Sequence, residues 1–319
     1  MKKFLSLLLI LTLVLTALVA CTKPAEDKTP TDNTPTDNTP AEKSYTLALA
    51  VDTAFGKNNK VSNTALVLVL DADNKIVAAR VDSAEATPAL DEAGALIPQE
   101  NVQSKVELGD AYTGMNAGTW AQQAAAFEAW LVGKTAAEVA GAEFTGELIA
   151  GCTMTSSLAT FKALVAEAFA STTKVTFKTT ESIKTGLALS TSVKSGKGGK
   201  VTVSTDVAAT VIAGDKVAAT AIDSIEQSFT IEEVEGAKTL VAADLKGSKT
   251  EQGEDYTGMP AGAWYKQAAV FCKAIVGMTA TELEAFEPVS DALAAAGCTM
   301  KNTTAGYKAT IIKAASYAK

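Results

Sequence analysis

An internal repeat constrains the fold of this chain more than any other sequence feature. Each copy has a Tyr-Thr-Gly-Met segment, a tryptophan eight positions after its tyrosine, and later an Ala-Gly-Cys-Thr-Met segment. The matching pieces are residues 112–115 and 256–259, Trp120 and Trp264, and residues 150–154 and 296–300. Because a fixed period in a sequence indicates repeated structural units, we expect two tandem domains of one fold.

The beginning of the chain has the layout of a bacterial lipoprotein signal peptide. Lys2 and Lys3 precede an apolar run, which ends in a small-residue stretch before Cys21. Residues 1–20 are therefore predicted to be removed, with lipid attached to the sulfur of Cys21. The rest of the chain is then expected on the outer face of the cytoplasmic membrane, anchored by that lipid; the alternative is an uncleaved membrane anchor, which leaves it on the same side.

Residues 21–43 are predicted to be a tether between the lipid and the folded part. A Thr-Asp-Asn-Thr-Pro segment occurs twice in succession, and the stretch contains no apolar residue larger than alanine between residues 22 and 43. Such a composition cannot repay the entropy cost of folding, and its prolines keep it extended. The remaining chain is predicted to form domain 1 over residues 44–175 and domain 2 over residues 183–319.

Composition excludes several functions. The chain has no histidine, which removes Ser-His and Cys-His nucleophilic chemistry, and we find no nucleophile–base pair that predicts an enzyme. The net charge is -8 and basic residues are not clustered, so we expect no nucleic-acid partner. Cys152 and Cys298 are interpreted as small residues packed in tight turns, with a disulfide between them as the alternative.

Hydropathy periods predict an α+β fold in each domain. Alternating or apolar runs at residues 45–51, 64–70 and 76–81 indicate strands, and similar runs recur at residues 186–193, 207–213 and 217–222. Further short strands are predicted at residues 103–108 and 240–247. A helical period then follows in each copy, around the tryptophan and again after the second repeated motif. Each domain is therefore predicted to be a small antiparallel sheet with two main helices.

The second repeated motif is the strongest candidate for a site. Gly151, Cys152 and Thr153 lie in a predicted turn just before a helix, and Gly297, Cys298 and Thr299 repeat them. The start of a helix carries unpaired N–H groups that suit a phosphate, and glycine permits close approach. Thr155 and Ser156 can cap the first of these helices. The alternative is a capped helix start with no ligand.

This motif resembles the Ser-Gly-Ala-Thr-x-Thr-Ser segment of the FMN-binding domain family, which includes periplasmic subunits of sodium-pumping quinone reductases and Rnf-type complexes, and flavin-bearing lipoproteins. The resemblance implies that FMN is esterified through its phosphate to Thr153 and Thr299 by a flavin transferase. Gly151 and Gly297 match the glycine of the family motif, and Cys152 and Cys298 replace its alanine. The implied function is electron transfer outside the membrane, from a membrane-bound donor.

A second function fits the same sequence. The residue before the glycine is Ala150 or Ala296 instead of the serine or threonine of the family, and the upstream aspartate is replaced by Glu147 and Leu293. These departures favour a surface lipoprotein with a degenerate FMN-binding-like fold that binds another ligand or serves a structural role.

Overall fold

The structure is a computed structural model that describes residues 41–112, 115, 118–144, 149–256, 259, 261–301 and 303–319, with the side chains of residues 155 and 156 left out. The signal peptide, Cys21 and most of the tether lie outside these residues. The described chain belongs to one compact unit, Pro40–Lys319. No helix within the described part is long and apolar enough to cross a membrane.

The fold is mixed α+β with antiparallel sheets, as the sequence predicts. We call residues 44–175 the first half and residues 183–319 the second half. The strands are β1 (Lys43–Phe55), β2 (Val61–Leu70), β3 (Ile76–Ala86), β4 (Ala89–Leu90), β5 (Leu96–Ile97), β6 (Gln99–Val102), β7 (Val175–Thr179), β8 (Ile183–Ser195), β9 (Val201–Ala213), β10 (Lys216–Val234) and β11 (Ala237–Ala242). The α-helices are α1 (Lys105–Leu108), α2 (Trp120–Leu131), α3 (Ala136–Gly141), α4 (Thr155–Ala170), α5 (Lys249–Gln252), α6 (Trp264–Ile275), α7 (Ala280–Ala285), α8 (Asp291–Ala295) and α9 (Thr304–Ser316).

Two main sheets carry the fold. The first has the strand order β3-β2-β1-β7 and the second has the order β11-β10-β9-β8-β6, while β4 and β5 form a small separate ladder. The predicted strand at residues 64–70 and its hairpin with residues 76–81 are confirmed by β2 and β3, which pair from Val61 with Ala86 to Leu70 with Ile76. The matching hairpin of the second half is β9 with β10.

Each main sheet is buried on both faces. Along β2, Leu66 and Leu68 pack against α2 and α4, whereas Val67 and Val69 pack against the second sheet. Because successive side chains of a strand point to opposite faces, a strand between two cores must be apolar at every position. This explains the unbroken apolar run in β2. The layers therefore follow the order helices, sheet, sheet, helices.

A row of hydrogen-bonded polar side chains also joins the two sheets. The Nδ2 atom of Asn63 donates to Oγ1 of Thr205 across the interface at 2.7 Å. Asn63 Oδ1 accepts from Thr53 at 2.9 Å, and Thr205 lies 2.8 Å from Thr191 on its own sheet. The strand registers place Asn63 and Thr205 at equivalent positions of the two halves. The hydrogen bond therefore joins equivalent positions of the two halves.

Strand exchange further connects the halves. The strand β6 belongs to the first half in sequence, but it pairs with β8 in the second sheet. The strand β7, at the predicted junction of the halves, pairs with β1 from Lys43 to Leu47. The segment between the two halves thus completes the first sheet.

Two predicted strands differ from the structure. Residues 103–108 form helix α1 instead of a strand, because Ser104 and Glu107 make a capping box in which each side chain accepts a hydrogen bond from the backbone N–H of the other residue. The strand predicted at residues 240–247 begins earlier, as β11, because Glu235 and Gly236 turn the chain back directly after β10.

Replacing Asn63 with alanine should lower the free energy of unfolding by about 1–3 kcal/mol, since the half-buried Thr53 hydroxyl and the buried Thr205 hydroxyl each lose a partner. Urea denaturation measures this change. Asn101→Ala, at an exposed position of β6, is the matched control and should change stability little. Equal changes in the free energy of unfolding for the two variants would contradict a structural role for the Asn63 hydrogen bonds.

Candidate functional site

The repeated threonines are held by glutamines of the preceding long helix. In the first half, the N–H and the hydroxyl of Thr153 both donate to Oε1 of Gln123, at 2.7 and 2.9 Å. In the second half, Thr299 makes the same pair of bonds to Gln267, at 2.8 and 3.0 Å. Both glutamine side chains are buried. We call each of these arrangements a threonine clamp.

Helix periodicity places the glutamines correctly for the clamps. Gln123 lies on the buried face of α2, one turn after Trp120, and Gln267 lies likewise on α6 after Trp264. A buried amide is costly unless its polar atoms are bonded, and Gln267 also donates through Nε2 to the Gly262 carbonyl at 3.0 Å. In the sequence, a glutamine stands three residues after the tryptophan of each copy, on an otherwise apolar helical face. This repeated polar residue is the sequence signal for the clamps, although its partner is visible only in the structure.

The glycines of the motif serve the backbone of the turn. Gly151 and Gly297 have φ angles of 82° and 104°, which lie in the region that favours glycine. A Cβ atom built on Gly151 would approach Ala126 Cβ at 3.5 Å, which is ordinary contact. Glycine is therefore required at both positions by the positive φ angle of the backbone, and not by neighbouring atoms.

The cysteines are buried and unpaired. Cys152 and Cys298 lie in separate cores, one on each side of the paired sheets, and Cys272 is buried on α6. Their interpretation as packed small residues is confirmed, and the alternative disulfide is not formed. Burial raises the pKa of the Cys152 and Cys298 thiols, and it raises the pKa of Cys272 to about 12. All three are therefore poorly suited to thiolate chemistry.

The predicted helix caps differ from the structure. Thr155 and Ser156 are the first residues of α4, so neither occupies the capping position. Met154 takes that position, and its side chain makes no capping bond. Thr303 precedes α9, also without a side-chain capping bond. The motif turns are thus organised by the clamps, with the Met154 and Met300 side chains buried in the cores.

The Tyr-Thr-Gly-Met segments lie beside the same cores. Tyr112 and Met115 pack against the helix side of the first sheet, and Tyr256 and Met259 do so on the second. These side chains therefore extend the apolar packing of the two cores. The Thr-Gly pairs between them lie outside the described residues.

A repeated Asp-Ser pair, Asp82-Ser83 and Asp223-Ser224, joins each hairpin to a short helix. Asp82 Oδ1 accepts from the N–H groups of Ser83 and Val106 at 2.7 and 3.1 Å. Asp223 Oδ1 accepts in the same way from Ser224 and Thr250 at 2.7 and 3.1 Å. Burial raises the pKa of both carboxyl groups to about 6. The two aspartates fasten α1 and α5 to the sheets.

A lysine–aromatic group is repeated next to these aspartates. Lys105 Nζ lies 4.9 Å from the ring centre of Tyr112 and forms an ion pair with Glu85 at 2.8 Å. Lys249 Nζ lies 5.3 Å from the ring centre of Tyr256 and 2.6 Å from Glu226. Cation–π and ion-pair contacts together hold the ammonium groups below the tryptophan helices.

The halves differ where α4 and α9 meet the tryptophans. Phe161 packs edge-on to Trp120 with ring centres 6.3 Å apart, and Tyr307 packs on Trp264 at 5.7 Å. The Trp264 N–H donates to the Tyr307 hydroxyl at 3.2 Å. Phe161 has no hydroxyl with which to repeat this bond.

Comparison with known proteins adds no relative. No protein-family model, curated protein or solved structure matches the chain. Among the described residues, no group of three or more His, Cys, Asp or Glu side chains is arranged to hold a metal ion. Function must therefore be argued from the chain itself.

Replacing Gln267 with leucine should lower the free energy of unfolding by about 2–4 kcal/mol, because three hydrogen bonds are lost and buried polar atoms are left unpaired. Thr299→Val removes only the hydroxyl bond and should cost about 1 kcal/mol. Chemical denaturation checks both values. Gln103→Leu, at an exposed position, is the control. If the clamp does not stabilise the fold, the three variants will have the same free energy of unfolding.

Acidification from pH 7 to pH 5 should stabilise the protein through its buried aspartates. The pKa values of Asp82, Asp206 and Asp223 are raised by burial from 3.8 to about 6, so the folded state binds protons in this window that the unfolded state does not. Stability contributed by these groups therefore increases as pH falls through about 6. Thermal unfolding between pH 5 and pH 7 measures the trend. Asp223→Asn, which keeps an acceptor oxygen, should reduce the slope because it removes one of the three groups; an unchanged slope would contradict the assignment.

Proposed function

We propose that this chain is a lipid-anchored extracytoplasmic protein that binds a small non-flavin ligand on a scaffold of two homologous halves. One observation carries the proposal: the residues of the repeated Gly-Cys-Thr segments make structural contacts inside the fold. Gln123 and Gln267 bind the threonines, the glycines have left-handed backbone angles, and the cysteines are buried. These contacts account for the repeated motif without a ligand bound to it, so the proposed ligand binds where the halves differ.

The predicted membrane tether supports the location part of this proposal. A lipid on Cys21 and an extended segment over residues 21–43 would hold the folded part outside the membrane. The lipid is the proposed contact with the membrane. Binding specificity would then depend on positions where the two halves differ, because their shared residues maintain the common scaffold.

The second candidate is an FMN-carrying electron-transfer lipoprotein, favoured by the exposure of Thr153. Its side chain is reachable although its hydroxyl contacts Gln123, and α4 begins two residues later. Thr153 Oγ1 would hold the phosphate, and the Thr153 N–H would keep its bond to Gln123. Bound FMN would supply reversible electron transfer. Thr299 is half-buried and suits this attachment less well. A flavin transferase and a membrane electron donor are the partners that this candidate requires.

The absorbance of protein purified from its native host, or made together with a flavin transferase, separates the two candidates. The proposed function predicts no flavin absorbance between about 350 and 500 nm and no fluorescent band on a denaturing gel. The Thr153→Ala and Thr299→Ala variants are the matched controls for an ester link. A fluorescent band that disappears in these variants would overturn the proposed function and establish the electron carrier.

A further inference from the structure

A polar cleft opens in the first half beside the Trp120–Phe161 pair. Its volume is about 170 Å³, and its lining includes Asp52, Thr64, Ser83, Glu85, Lys105 and Trp120. Since one water takes up about 30 Å³, the cleft has room for several waters or for a small organic molecule. It lies between the edges of β1–β3 and the first turns of α4.

The second half fills the corresponding position with its own side chain. Phe161 and Tyr307 each stand seven residues after the methionine of the repeated motif, and each packs on the tryptophan of its half. The Tyr307 hydroxyl accepts from Trp264 Nε1 at 3.2 Å. A hydroxyl group is therefore the occupant that this scaffold accommodates.

The first half lacks that hydroxyl and leaves its donor without a partner. Trp120 is 2% exposed and lines the cleft, and its indole N–H donates to no residue in the described part of the chain. The N–H is not sealed off, since Thr185 Oγ1 is the one fully buried side-chain polar atom without a partner among the described residues, so an acceptor in the cleft can reach the indole. Trp120 thus indicates a ligand that carries a hydrogen-bond acceptor.

The two halves carry an acidic side chain in the same row of residues but on different strands. In the second half, Asp206 stands on β9 between Ser190 and Ser224, and it accepts from the Ser224 hydroxyl at 2.9 Å. In the first half, the matching row is Asp52, Thr64 and Ser83, with the carboxylate on β1. Asp52 accepts no hydrogen bond and forms no ion pair within the described residues, and it lines the cleft. It provides an acceptor for a ligand that also donates.

The charges at the cleft sum to zero, because the Asp52 and Glu85 carboxylates offset the Lys60 and Lys105 ammonium groups. Glu85 lies 2.8 Å from Lys105 and 3.2 Å from Lys60, so its carboxylate is shared between two ammonium groups. A phosphate or carboxylate ligand would therefore meet the Asp52 charge without an unpaired cation to offset it. A hydroxyl group both accepts and donates, which matches Trp120 and Asp52 together.

We propose that this cleft binds a small neutral molecule with neighbouring hydroxyl groups, a polyol or a sugar. One hydroxyl accepts from Trp120 at the position that Tyr307 fills in the second half, and another donates to Asp52. This inference rests on the proposed binding function and assigns its site and ligand class. The threonine clamps take no part in it.

Titration of the full chain in detergent micelles tests the site through the indole N–H resonances of its three tryptophans. The probes are glycerol, erythritol and glucose, with inorganic phosphate and methylamine for comparison. A polyol or sugar should shift the Trp120 resonance in a saturable manner and leave those of Trp130 and Trp264 unchanged. No Trp120 response to any hydroxylated probe, or a response to phosphate or methylamine alone, would overturn the proposal.

Two variants of the Trp120 cleft and one matched control sharpen the test. Phe161→Tyr supplies the hydroxyl internally, as Tyr307 does, and should weaken binding at least tenfold. Asp52→Ala should weaken it by a similar factor, and its Trp264 resonance reports whether the fold is retained. Tyr307→Phe, the mirror change in the second half, should leave the Trp120 titration unchanged. Undiminished binding in Phe161→Tyr and Asp52→Ala would place the ligand elsewhere and overturn this site.

The flavin measurement tests the proposed function, whereas the Trp120 titration tests only the cleft, so the two outcomes are independent. A flavin band from the native host would overturn the proposed function, whatever Trp120 does. A colourless protein whose Trp120 resonance ignores the hydroxylated probes would retain the proposed function and reject only this cleft.

Discussion

The face-to-face packing of the two sheets is the constraint on which the rest of the structure depends. Once the inner faces are joined, the outer faces must be covered by helices, since β2 and β9 are apolar on both sides. The Asn63–Thr205 bond lies within this interface. A buried polar pair tolerates far less sliding than apolar side chains do, so it favours one alignment of the sheets.

The helix layers are attached to the sheets by repeated polar contacts rather than by apolar packing alone. The buried Gln123 and Gln267 hold the turns that precede α4 and α9, while Asp82 and Asp223 hold α1 and α5. Each of these side chains is buried and bonded to backbone N–H groups. The same residues therefore make the same structural contacts around the threonines of both halves.

Divergence between the halves is concentrated near the tryptophans. A hydroxyl lost at Phe161 and a carboxylate placed at Asp52 leave polar atoms around a cleft in the first half. Tyr307 and Asp206 bond within the second half instead. The second half thus bonds these polar groups internally, while the first half leaves the equivalent groups facing the cleft.

The sequence by itself determined the repeat, the α+β class and the hairpins, because these depend on local period and turn chemistry. It also predicted buried, unpaired cysteines. It missed α1, where the Ser104–Glu107 capping box outweighs an extended pattern. Only the tertiary structure decided that β6 joins the second sheet, that Gln123 and Gln267 bind the threonines, and that Phe161 leaves a cleft. These features join residues far apart in the chain, and their positions follow from how sheets and helices pack rather than from neighbouring residues.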